Sequence, residues 1–202
     1  EKFSDGLLLC CRRNTGCLSR YRLSVAAVSA AQWCISGILF QTAFSARPSE
    51  SFLRLQLFDK SYINKLAYAL DMLDTKRSMI VSSNDGMDEI SISDITYASS
   101  IYNGKIEDFE INPEDYGMQL SDKSEIIGGD AKFNAKLTSD LLSKKLIGAK
   151  LNIVLLNVAA ALIVDEKARD FKDGIDMAKE AIISGAAKDK LAQIIKVSNQ
   201  LS

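Results

Sequence analysis

The chain contains no histidine among its 202 residues. That absence removes Ser-His-Asp and Cys-His nucleophilic catalysis, the commonest general base, and any zinc site built on imidazole. Net charge is nearly absent too: 25 basic against 26 acidic side chains leave −1, which argues against bulk attraction to nucleic-acid phosphates. No Cys-x-x-Cys pair occurs, and the adjacent Cys10-Cys11 is poorly suited to one tetrahedral metal. A disulfide set would leave the long remainder of the chain unbridged, so the four cysteines read as free thiols in a reducing compartment. There is no internal repeat and no low-complexity tract. What is present is enough apolar character, 47 % of residues with 25 % charged, for one packed α/β domain or one and a half small ones. The sequence begins at Glu1 rather than Met and reads as a fragment.

The averages conceal a break near residue 55. Residues 1–55 hold seven basic side chains against three acidic ones, +4, together with all four cysteines and the only tryptophan, Trp33. Residues 56–202 carry eighteen basic against twenty-three acidic side chains, −5. The two parts are therefore read separately. Within the first, Leu23–Ala46 has no formal charge and follows Arg12, Arg13, Arg20 and Arg22, which raises a membrane span or signal sequence. Ser24, Ser29, Gln32, Ser36, Gln41 and Thr42 argue against it, each being costly in hydrocarbon.

The second part is orderly. Ser61–Asp74 places Ile63, Leu66, Leu70 and Leu73 at helical spacing. Arg77–Ser83 is a short apolar run ending in small polar residues, as in a buried strand feeding a loop. Thr96–Tyr102 and Lys105–Ile111 flank Asn103-Gly104, a pair that favours the type I′ turn of a β-hairpin. Beyond Pro113 the pattern turns helical: Asp130 is placed to cap one helix, Ala149–Val164 is apolar on nearly all sides, and Asp170–Ser184 and Ala186–Gln200 are separated by Gly185. A helix followed by a strand predicts an α/β sheet with its working loops at the carboxyl ends of the strands.

The one dense acidic constellation, Asn84-Asp85-Gly86-Met87-Asp88-Glu89, follows the predicted strand directly. Adjacent Asp88 and Glu89 repel one another unless a cation neutralises them. Oxygen ligands without His or Cys suit a hard ion such as Mg²⁺. From spacing alone the bland reading, a solvated acidic turn, is the stronger. Gly128-Gly129-Asp130 lacks the P-loop lysine and the dinucleotide glycine spacing, so a tight turn plus helix cap accounts for it better than a phosphate cradle. Asn134 and Asn157 lie within predicted helices and read as structural, either solvated or bonded to a neighbouring loop.

Taken in order, Ser83–Ser91 (SNDGMDEIS), the hairpin, and Asn112-Pro113-Glu114-Asp115-Tyr116-Gly117 resemble the C-terminal half of the anthranilate phosphoribosyltransferase family. The likeness runs on through Gly128-Gly129-Asp130-Ala131 with Asn134-Ala135, through Leu156–Leu162, and into Ala178–Ile182 with Ser184-Gly185. It covers about residues 56–202. The resemblance implies the C-terminal α/β domain portion of the nucleoside phosphorylase/phosphoribosyltransferase fold, a mixed sheet flanked by helices, with residues 1–55 as an irregular segment ahead of it. It also implies transfer of the 5-phosphoribosyl group of phosphoribosyl pyrophosphate to the amine of anthranilate in tryptophan biosynthesis, an Mg²⁺ cofactor held by Asp88 and Glu89, a cytoplasmic location and a homodimer, with no nucleic-acid or membrane partner. No catalytic or substrate-binding residue is assigned.

The departures lie upstream. The family's glycine-rich pyrophosphate loop and Lys-His-Gly-Asn segment precede anything present here, and its Phe-Ala-Pro, His-Pro and Leu-Gly-Pro-Leu strings do not occur in residues 8–55. That interval reads as an out-of-frame or diverged segment, and the isolated chain is expected to be inactive. Three rivals stand beside this reading. They are a pyrimidine nucleoside phosphorylase of the same fold, a non-catalytic nucleic-acid-binding paralogue, and a membrane-anchored protein built on Leu23–Ala46.

Overall fold

The computed structural model describes residues 52–56 and 59–200. The uncharged Leu23–Ala46 stretch and the cysteines lie outside the described residues. Four strands form one mixed sheet in the order β1 (Phe52–Gln56), β2 (Arg77–Ser83), β3 (Thr96–Tyr102) and β4 (Lys105–Ile111). β1 runs parallel to β2, with Phe52 opposite Arg77 and Gln56 opposite Val81. β2, β3 and β4 are successively antiparallel. The first strand therefore straddles residue 55, where the composition changes. The parallel pair needs a crossover, and α1 (Ile63–Met72) supplies it.

β2 and both hairpin strands occupy the spans predicted from sequence. The hairpin turns through Asn103 (φ 49°) and Gly104 (φ 79°), the two positive φ values that a type I′ turn requires. Because side chains alternate across a strand, β2 faces two layers. Ile80 joins Ile63, Ala67, Leu70 and Ile101 beneath α1, while Met79 and Val81 join the larger core on the opposite face. The expected stripe on α1 is rotated at its end. Ala67 is buried, and Leu73, the C-cap, is 74 % exposed because the helix stops at Met72.

The second layer is helical: α2 (Ala131–Leu142), α3 (Ala149–Val164), α4 (Phe171–Ile183) and α5 (Ala186–Gln200). α3 is the centre of the larger core, with an unbroken buried run from Ile153 to Ala160. A helix apolar all round must be enclosed by neighbours, and here the sheet and α4 enclose it. No helix among the described residues is long and apolar enough to cross a membrane.

Candidate metal site

The acidic run sits where the sheet delivers it. β2 ends at Ser83, and residues 84–95 form the connection to β3. Since β1 and β2 are parallel, the carboxyl ends of both strands lie along the same edge of the sheet, the usual location of ligand loops in α/β folds.

This connection is held from within. Ile90 and Ile92 are fully buried in the larger core and fasten the loop to the domain. At its start, Gly86 N–H donates to the Ser83 carbonyl at 3.1 Å and Ser83 N–H donates to the Met87 carbonyl at 3.2 Å. Gly86 has φ 82°, a left-handed conformation that a side-chain-bearing residue adopts at a cost. Further along, Ser91 N–H donates to Thr96 Oγ1 at 3.0 Å and Ser93 N–H to Ser91 Oγ at 2.8 Å.

Asp85 organises the first half of the loop. Its carboxylate accepts from Met87 N–H at 2.9 Å and from Ser91 Oγ at 2.8 Å. Lys123 Nζ lies 3.7 Å from Asp85 Oδ2 and also donates to the Asp85 carbonyl. The side chain is only 7 % exposed. Burial by itself would raise its pKa, but the Met87 N–H, the Ser83 and Ser91 hydroxyls and the Lys123 ammonium together hold it below the usual carboxylate range. Asp85 is thus a structural anion.

Asp88 and Glu89 follow at once. Glu89 is buried, 6 % exposed, and Asp88 is half-buried. Among the described residues no ion pair includes Asp88. Nor do the described residues contain a group of three or more His, Cys, Asp or Glu side chains arranged to hold a metal. Asp88 and Glu89 are two carboxylates adjacent in sequence, oxygen donors only. That suits a small hard cation which keeps much of its water.

The second half of the loop is held from outside. Asn157 of α3, 1 % exposed, accepts from Ile90 N–H at 3.2 Å and donates to the Ile90 carbonyl at 2.9 Å and to the Ile153 carbonyl at 3.0 Å. Of the two structural roles expected for Asn157, solvated or bonded to a neighbouring loop, the second is found, and nothing in residue spacing marks that loop as the acidic one. The roles of Lys123 and Asp85 were likewise invisible, because their partners are distant or main-chain.

The glycine turn behaves as a cap. Asp130 Oδ1 accepts from Phe133 N–H at 2.7 Å and opens α2. Asn134 closes the turn, accepting from Gly129 N–H and donating to its carbonyl, both at 2.8 Å. With the Gly129 and Phe133 N–H groups taken up this way, the turn matches the cap reading.

Comparison with known proteins agrees with the fold. The profile of the glycosyl transferase family, a/b domain, matches residues 45–188. An anthranilate phosphoribosyltransferase of Alkaliphilus metalliredigens is 40 % identical over 147 residues, 73 % of this chain and 43 % of that protein. That of Rubrobacter xylanophilus is 35 % identical over 146 residues, 72 % of this chain and 43 % of its own length. Among solved structures, anthranilate phosphoribosyltransferase from Saccharomyces cerevisiae in complex with PRPP and Mg shares the fold, with a TM-score of 0.66 at 24 % identity, over 73 % of this chain and 42 % of that one. The chain spans less than half the length of the curated relatives it matches. Its sheet, its helical layer and the ordered series of matched segments lead to one conclusion: the chain belongs to the glycosyl transferase family whose a/b domain it carries.

Proposed function

We propose that this chain serves the phosphoribosyl transfer of an anthranilate phosphoribosyltransferase, moving the 5-phosphoribosyl group of phosphoribosyl pyrophosphate to the amine of anthranilate, with Asp88 and Glu89 holding Mg²⁺. One observation carries the reading: two adjacent carboxylates lie on the loop that leaves the carboxyl end of β2, while the loop's other acidic residues are committed within it, Asp85 accepting from Met87 N–H and Ser91 Oγ and Asp94 accepting from Asn84 Nδ2 and Ile95 N–H. Asp88 and Glu89 would hold the ion through hard oxygen donors. An Mg²⁺ ion held there would supply charge neutralisation for the diphosphate leaving group. The buried isoleucines and the hydrogen bonds at each end of the loop fasten its backbone to the domain, which supports a site that needs little reorganisation. Stabilising a leaving group calls for placed charge more than for proton relay, which makes the lack of histidine tolerable.

The proposal extends to a homodimeric parent acting in the cytoplasm without nucleic-acid or membrane partners. The acidic balance of residues 56–202 supports the exclusion of nucleic acid. It also keeps a division near residue 55 between an amino-terminal segment and the α/β domain, with β1 reaching across it. Calorimetric titration of phosphoribosyl pyrophosphate into the 202-residue chain tests the site. Binding should require Mg²⁺ and weaken at least about tenfold in Asp88→Asn or Glu89→Gln. Binding that ignores Mg²⁺ and both substitutions overturns the assignment. Binding of inorganic phosphate with a pyrimidine nucleoside instead points to the phosphorylase rival.

A further inference from the structure

We infer that Asn157 is the positioning residue for the Asp88-Glu89 pair, an inference that rests on the metal-site reading above. The argument begins with the peptide plane. The Ile90 N–H shares its rigid amide plane with the carbonyl and Cα of Glu89, so whatever fixes that N–H also fixes the atom from which the Glu89 side chain springs. Asn157 accepts from it at 3.2 Å and grips the carbonyl on the other side of Ile90 at 2.9 Å. Asn157 is itself fixed, because it lies in the middle of the buried α3 and donates to the Ile153 carbonyl one turn back.

Asp88 is held by the same device from the other side. The Met87 carbonyl shares its amide plane with the N and Cα of Asp88, and it accepts from Ser83 N–H at 3.2 Å. The two carboxylates are therefore suspended between a backbone bond from the end of β2 and a side-chain clamp reaching from α3, 67 residues away in sequence. An apolar side chain at 157 would fill the core but release both the N–H and the carbonyl of Ile90. Asn157, 1 % exposed within the buried run from Ile153 to Ala160, spends its amide on the main chain of Ile90 and Ile153.

The test separates metal affinity from stability. Mn²⁺ affinity is measured by electron paramagnetic resonance on the 202-residue chain, alongside thermal unfolding. Asn157→Leu and Asn157→Ser should each weaken Mn²⁺ binding about tenfold to a hundredfold, the range seen when a partner that orients a metal ligand is lost. Leu156→Ala, an equally buried neighbour on α3, should lower the unfolding temperature and leave Mn²⁺ affinity unchanged below its transition. Wild-type affinity in either folded Asn157 variant overturns the inference while the metal site stands. Mn²⁺ binding by wild type that is unaffected by Asp88→Asn and Glu89→Gln removes the metal site and the inference with it. Hydrogen exchange on wild type needs no variant: the Ile90 amide should be as protected as the core amides of α3, and exchange at the rate of exposed loops overturns the clamp.

Discussion

Two asparagines in this chain make the same pair of bonds in opposite settings. Asn134 grips the N–H and carbonyl of Gly129 across five residues at an exposed helix start. Asn157 grips the N–H and carbonyl of Ile90 across sixty-seven residues in the core. At the exposed site water can replace a lost partner. At the buried one nothing can, so equal geometry carries unequal consequence. The local clamp shapes a turn, whereas the distant one ties the acidic loop to the central helix and couples the candidate site to the integrity of the core.

Replacement of both asparagines is the most direct way to break this comparison. Asn157→Leu leaves the N–H and carbonyl of Ile90 buried and unpaired, and should cost about 3 kcal/mol in urea unfolding. A cost as small as that of an exposed clamp would show that the core admits water there. Asp85→Asn removes the anion that two loop donors and Lys123 converge on, and about 2 kcal/mol is expected. Asn134→Ala should cost about 1 kcal/mol or less, and a larger loss would mean that the glycine turn supports more than α2.

Acid sharpens the contrast further. The pKa of Asp85 is lower in the folded chain than its ordinary value. Its contribution to stability is therefore complete above the ordinary aspartate range and lost as pH falls through the lowered folded value. The stability difference between wild type and Asp85→Asn should be constant from pH 7 to about pH 5 and shrink below about pH 4. A difference that persists undiminished at pH 2 would mean that geometry, not charge, is what Asp85 supplies.

Local patterns were the legible part of this molecule. β2, the hairpin and α3 occupy the spans that a short apolar run, the Asn103-Gly104 pair and a segment apolar on nearly all sides indicate. The end of α1 falls short of the expected Ser61–Asp74 span because Leu73 continues the helical spacing one residue past the point where the backbone leaves the helix. The acidic loop could be located but not divided into roles. Asp85 and Asp88 are equivalent in composition, and only the convergence of Ser91, the Met87 N–H and Lys123 on Asp85 separates the structural carboxylate from the available one. Asn157 was visible as an oddity in an apolar helix, but its partner is main chain on a distant loop and leaves no mark on spacing.

The central claim is that a divalent cation binds at Asp88 and Glu89. Titration of the isotope-labelled chain with substoichiometric Mn²⁺, followed by amide nuclear magnetic resonance, tests it most directly. The account predicts that the Asp88, Glu89 and Ile90 signals broaden first, while those of Gly129 and Asn134 persist. Earlier broadening around Asp122, Asp130 or Asp140, with Asp88 and Glu89 unaffected, would contradict it.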